Sequence, residues 1–312
     1  MIKYQKIKRN KNMLLGYLFA LLVVASGAIK GFCGKKISDY TATLPCASYS
    51  NFLRMTLCIL IGFFFVTVES GLSGFGVSWN VAFISALSGI STAIFVISWL
   101  LAVRKGAYMM VDVFLLLGTS LPILLSCIFY GETLELTDFV GFALLVAAAF
   151  LLCIYNKKIK GKMKVKYLLL PILSGCANGI LGFSQKMFIH NTEGSSVSVF
   201  NFYTYVFASA ILGVFFLLTR NSAKDDERAK IKFPPKVYAA IAIMALTLFT
   251  SSFFNTLATG RLSAAELYPL TQGMAIIVST FMAAVFFKEK VKPVLLIGLI
   301  FAFLGIVIMN LL

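Results

Sequence analysis

Apolar runs of membrane-crossing length alternate with short polar breaks along the whole chain. After a polar opening, Met1 to Asn12, the runs are roughly Met13–Phe32, Asn51–Val68, Val81–Val103, Tyr108–Tyr130 and Phe139–Tyr155. A basic break with six Lys, Asn156 to Lys166, precedes five more: Tyr167–Ile189, Val197–Thr219, Val237–Ala258, Leu262–Phe287 and Val291–Leu312. Each is near the ~20 residues that a helix needs to cross the hydrocarbon of a bilayer. The pattern predicts an all-α integral membrane protein with ten transmembrane helices. The basic break divides it into a first unit over 1–156, a linker over 157–166 and a second unit over 167–312. Five spans is an odd number, so the second unit must enter the membrane from the opposite side. That predicts two inverted five-helix repeats, a common plan among secondary transporters.

Composition agrees. Of 312 residues, 60% are hydrophobic and only 13% charged, with a mean hydropathy of +0.92. A soluble domain of this length could not hide that much apolar surface. The polar stretches are too short for an appended enzyme, sensor or nucleic-acid domain. The net charge of +16 would suggest nucleic acid in a soluble protein, but the basic residues lie mostly between apolar runs. Contact with anionic membrane lipids and the setting of topology explain them better, so no nucleic-acid partner is expected. The basic start and the first apolar run look like a secretory leader. They are read as a retained span, because the later half would otherwise lack its counterpart. Four of the six Cys lie in apolar runs, where Cys is usually a small packing residue. Cys33 and Cys46 share a loop and could pair on an oxidising side.

The halves match at several points in the same order. Glu132 is followed nine residues on by Gly141, as Glu289 is by Gly298, and the two copies lie 157 residues apart. Arg104 precedes Arg261 by the same interval. Asn51-Phe52 opens span 2 as Asn201-Phe202 opens span 7, and Lys30 sits late in span 1 as Lys186 does in span 6.

With its Tyr130-Gly131-Glu132 through Gly141 and Phe287-Lys288-Glu289 through Gly298 segments, and Pro122 in span 4, the chain resembles the drug/metabolite transporter superfamily, most closely its EamA-type branch. The resemblance covers nearly all of the chain. It implies a central cavity among spans 1–4 and 6–9, with spans 5 and 10 at the periphery. Gly298 and Gly305 share one helix face, as do Gly141 and Ala148, and small residues there let helices approach closely. Glu132 and Glu289 read as caps or corners at helix junctions. The family usually keeps both termini in the cytoplasm. Here the loops after spans 1, 3, 5, 7 and 9 carry most of the Lys and Arg, which argues the reverse, while the basic N-terminal segment argues for the family's arrangement.

Polar groups within spans are the site candidates, because each is expensive in hydrocarbon. For substrate binding they are Lys30, Asn51, Arg54, Asn178, Gln185, Lys186, Asn201, Tyr205 and Gln272. Snorkelling or structural pairing competes with cavity lining for Lys30 and Lys186. Asp112 and Glu266 are candidates for carrying a coupling proton or for a fixed ion pair with Lys or Arg. Gly175 to Ile189 is polar for a span. Its glycines read either as a loosened helix or as close packing. Tyr203 and Tyr205 cannot share a helix face, and Tyr205 is the companion of Asn201.

His190 is the only histidine, and no Walker motif, nucleophile elbow or HExxH is present. No enzyme activity, metal or cofactor is expected. The excess of cations over acids in the spans suggests a secondary transporter of a small anionic or zwitterionic metabolite in a plasma membrane, with a bacterial one fitting the short termini. Two alternatives stay open: an exporter of apolar or aromatic compounds, and a non-transporting lipid-handling or assembly protein. A homodimer also stays open.

Overall fold

The computed structural model describes residues 2–41, 43–105, 108–160, 169–192, 194–221, 231–286 and 293–311. These residues form helices and turns, with no strand among them. The helices are α1 (Ile2–Ile37), α2 (Leu44–Ser70), α3 (Trp79–Lys105), α4 (Tyr108–Gly118), α5 (Ser120–Tyr130), α6 (Leu136–Lys160), α7 (Leu169–Asn191), α8 (Val197–Asn221), α9 (Pro235–Thr259), α10 (Ala264–Phe286) and α11 (Pro293–Leu311). A short 3-10 turn, Leu72–Phe75, follows α2.

Local chemistry starts and stops these helices. Thr43 caps α2 by accepting from the Cys46 N–H at 3.4 Å, and Pro45 sits in its first turn, where a missing N–H costs nothing. Asp138 accepts from the Glu135 N–H at 2.9 Å at the start of α6. Gly131 ends α5 at φ 65, in the left-handed region that glycine adopts without strain.

Six stretches are long and apolar enough to cross a membrane: Asn12–Ile37, Leu44–Ser70, Trp79–Ala102, Val197–Asn221, Pro235–Thr259 and Ala264–Phe286. The other four expected spans differ from that description among the described residues. The expected span over Tyr108–Tyr130 is two helices, α4 and α5. Pro122 has no N–H to give the Gly118 carbonyl four residues back, so the ladder breaks there. Thr119 closes the break by turning its hydroxyl to the Leu116 carbonyl at 2.6 Å. α7 carries Asn178, Gln185, Lys186 and His190 and is the most polar of the expected spans. α6 and α11 offer the shorter apolar stretches Leu136–Ala148 and Leu296–Met309.

The molecule is apolar outside and partly polar inside. Leu60, Phe64, Phe83, Ile128, Phe150 and Phe303 are exposed, while Ser48, Asn51, Arg54, Gln185, Lys186 and Asn201 are buried. An exposed apolar surface on this scale suits lipid and would be a liability in water.

Helices pack as α1 on α9, α3 on α7, α2 on α8 and α6 on α11. Further pairs are α3 with α8, α2 with α9, α4 with α7, α1 with α10, α4 with α6, α10 with α11 and α4 with α10. α7 is one continuous helix, and its glycines serve close packing: Gly175 lies directly against Phe114 and Gly118, and Gly179 against the Gly118 carbonyl. α6 and α11 meet where a Cβ on Gly141 would lie 2.7 Å from the Gly305 carbonyl, and one on Gly305 2.7 Å from the Gly141 carbonyl. Ala148 is buried, so the glycine face expected on α6 and α11 is their contact. Gly305→Ala should lower stability by about 1–3 kcal/mol, the usual cost of overpacking. Thermal unfolding in detergent checks this; an unchanged midpoint would contradict it.

Candidate functional site

A cavity of about 140 Å³ lies between the two halves. α1 contributes Val23, Val24, Gly27, Ala28 and Lys30, and α3 contributes Thr92, Phe95 and Trp99. Leu115 comes from α4 and Tyr205 from α8. α7 supplies Asn178, Leu181, Gly182 and Gln185, and α9 supplies Leu248, Ser251, Ser252 and Asn255. α10 completes the wall with Tyr268, Thr271, Gln272, Ala275 and Ser279. α6 and α11 take no part in it, as the resemblance implied. α2 takes none either, against expectation.

Five of the proposed binding residues meet here: Lys30, Asn178, Gln185, Tyr205 and Gln272. Lys30 is the one charged residue of the wall among the described residues, and its Nζ stands 5.6 Å from the Phe95 ring centroid. Asn178 and Gln272 make no side-chain hydrogen bond to another described residue. An amide in an apolar surround wants a partner, so these two are available to a polar ligand or water.

One wall of the cavity is a chain of hydrogen bonds. Asn255 donates to Gln185 at 2.5 Å, and Gln185 donates to the Ser252 hydroxyl at 3.2 Å. Ser252 donates to Asn201 at 2.6 Å, and Asn201 to the Val197 carbonyl at 3.1 Å. Asn201 therefore stands behind the wall and holds it in place. Tyr205 donates to the Leu248 carbonyl at 3.3 Å. Tyr203 instead donates to the Phe75 carbonyl at 2.6 Å, so the two tyrosines do face apart.

Four more of the candidates lie outside the cavity. Asn51 lies outside the cavity, donating to the Val96 carbonyl of α3 at 3.3 Å. Lys186 lies outside it too. Its Nζ is 2.5 Å from a Glu132 oxygen and 3.3 Å from the carbonyls of Thr259 and Leu262. The other Glu132 oxygen accepts the Ala264 N–H at 2.8 Å, so Glu132 is a corner group, as expected, with a distant helix start as its partner. Glu266 forms no ion pair among the described residues. It accepts from the Ser263 N–H at 2.8 Å and the Ser263 hydroxyl at 2.9 Å, while that hydroxyl accepts from the Glu266 N–H. This is a capping box, and it uses the carboxylate as an acceptor at the start of α10. Arg54 is 2% exposed on α2, beside Cys58 and Tyr205, one layer behind the cavity wall. No carboxylate pairs with it among the described residues, and its Nε has no hydrogen-bond partner. The Asp112 side chain and Glu289 lie outside the described residues.

Ser252, Asn255, Tyr268 and Thr271 also line the cavity. Ser252 and Asn255 sit three apart on α9, on one helix face, a signal the sequence does carry. Tyr268 donates to the Gly182 carbonyl at 2.6 Å, a contact with no local sequence signal. Cys33 and Cys46 are separate buried thiols. His190 stacks on Tyr130 with ring centroids 4.3 Å apart.

Helices throughout the described residues, an apolar exterior and a cavity between the halves fit a multi-pass integral membrane protein. Residues 165–311, α7 to α11, match the model of the EamA-like transporter family, part of the drug/metabolite transporter superfamily. A solved structure described only as a crystal structure of a protein superposes with a TM-score of 0.70 at 14% identity. It covers 97% of this chain and 98% of its own, so the fold is shared across both halves. No curated protein matched the chain.

Ser263→Ala should cost about 1 kcal/mol through loss of the α10 cap. Detergent thermal unfolding measures it, and an unchanged midpoint would remove the capping role.

Proposed function

We propose that the chain is a secondary transporter that moves a small organic anion or zwitterion across a plasma membrane by alternating access, built as two inverted five-span repeats. α4 and α5 together count as one span in this reading. The packing supports the repeat. Exchanging α1, α2, α3, α4 and α6 with α7, α8, α9, α10 and α11 turns the α1–α9 pair into α3–α7, and α2–α9 into α3–α8. The same exchange turns α4–α7 into α1–α10 and α4–α6 into α10–α11. It maps α2–α8, α6–α11 and α4–α10 onto themselves. Two halves related in this way can trade conformations, so one cavity can open in turn to each side.

The observation that carries the substrate class is the charge of the cavity. Lys30 lines it, Arg54 is buried one layer behind, and no carboxylate lines the wall among the described residues. Arg54, 2% exposed with its Nε unbonded among the described residues, adds to the positive charge of Lys30 in the wall, and an anionic ligand answers that charge. Asn178 and Gln272 would bind the ligand's remaining polar groups. A second reading, an aromatic or apolar solute, draws on the rings of Phe95, Trp99, Tyr205 and Tyr268 around the same space.

A panel of carboxylates, amino acids and neutral aromatics, scored by stabilisation of purified protein and then by liposome flux, separates the two. The proposal expects anionic or zwitterionic hits. Lys30→Gln should weaken them about 10–100-fold, the equivalent of one charge-assisted hydrogen bond of ~1.5–3 kcal/mol. Neutral aromatic hits that Lys30→Gln leaves unchanged would support the second reading instead.

A further inference from the structure

We infer that the Lys186–Glu132 pair is a gate, closing the cavity at the end formed by the α9–α10 turn and parting when the cavity opens there. This rests on the transport reading for its purpose but on geometry for its place.

The pair sits about one helical turn beyond the cavity on three helices at once. On α7 the step runs from Gln185 and Gly182, in the wall, to Lys186. On α9 it runs from Asn255 to Thr259, whose carbonyl Lys186 holds at 3.3 Å. On α10 it runs back from Tyr268 to Ala264, whose N–H Glu132 holds at 2.8 Å. All three steps lead toward the same end. Tyr268, bonded to the Gly182 carbonyl at 2.6 Å, lies between the cavity and the pair.

The pair also joins the halves. Glu132 belongs to the α5–α6 turn of the first half, and every group it holds belongs to the second. Two more polar ties between the halves lie at this end. Glu69, at the end of α2, accepts from Ser196 and, at 2.8 Å, from Ser198, at the start of α8. Tyr203 of α8 donates to Phe75. The ring contacts between the halves at the opposite end are of another kind: Phe32 with Phe286 at 5.3 Å, Tyr49 with Phe216 at 5.0 Å, and Lys236 over the Tyr40 ring at 5.1 Å. Ring contacts join the halves at the gate end too, as with Tyr130 and His190 at 4.3 Å, but carboxylate ties between the halves are seen at that end alone among the described residues.

Hydration makes such a pair a switch. With side chains 4% and 19% exposed, Lys186 and Glu132 cannot part while dry, since each would be left as a buried charge. Once water enters, a pair of this type is worth little. Opening of that end and rupture of the pair are therefore one event.

The test places a cysteine at Gly27, a wall position where an added Cβ meets nothing within 4 Å. A second variant, Ser195→Cys, marks the α9–α10 end on an exposed turn. An impermeant maleimide is applied to each face of sealed vesicles, and modification is read peptide by peptide against the unaltered chain. With the pair intact, the cysteine at 27 should react at least about tenfold faster from the face opposite the marker. Glu132→Gln and Lys186→Gln should each raise the rate from the marker face, and the double variant should raise it no further, since either change removes the whole pair. Equal rates from both faces in the unaltered pair would overturn the gate, and so would an unchanged marker-face rate in folded variants. The first measurement holds even if the variants fail to fold. Marker-face labelling that rises in a protein that moves no solute would support the gate and overturn the transport reading.

Discussion

A polar group inside hydrocarbon must find a partner or a wet cavity, and this constraint sorts the interior of the protein. Lys186 finds Glu132 and two helix-end carbonyls. Glu266 finds the start of its own helix. Asn51 finds a carbonyl of α3, and Asn201, Ser252, Gln185 and Asn255 find one another. Of the other polar groups, Lys30, Asn178 and Gln272 line the cavity, with Arg54 buried behind Tyr205. The candidate site is thus defined as much by which polar groups are already satisfied as by which are present.

The same sorting explains how much was legible in the chain. Helix positions were, because a bilayer demands long apolar runs. A close-packing face on α6 and on α11 was legible too, from small residues seven apart, but not that the two faces meet each other. The side of each helix that faces the cavity was not. In lipid both sides are apolar, so the periodicity that marks a buried face in water is weak, and Lys30 and Lys186 looked equivalent. They are not, because Glu132, 54 residues before Lys186, reaches it through the tertiary fold. The capping box is written locally as Ser263-Ala264-Ala265-Glu266, a signal that outweighs the cost of an acid within an apolar run. Pro122 was read as a family marker, while its physical effect is the break between α4 and α5.

The two lysines suggest how one architecture can serve two tasks. Late in matching helices, one cation pairs with a carboxylate and joins the halves, and the other lines the cavity. Among the described residues the wall sets that positive charge among amides, hydroxyls and rings. Such a wall favours a ligand that brings its own negative charge, and its amides set where the rest of that ligand must lie.

The central claim is therefore electrostatic, and a matched ligand pair tests it most directly. Titration calorimetry on the unaltered protein would compare a carboxylate hit from the panel with its neutral primary amide, of nearly the same size and shape. The account predicts that the carboxylate binds at least about tenfold tighter, a difference of ~1.4 kcal/mol, and that added salt narrows the gap. Equal affinity for the two would contradict it.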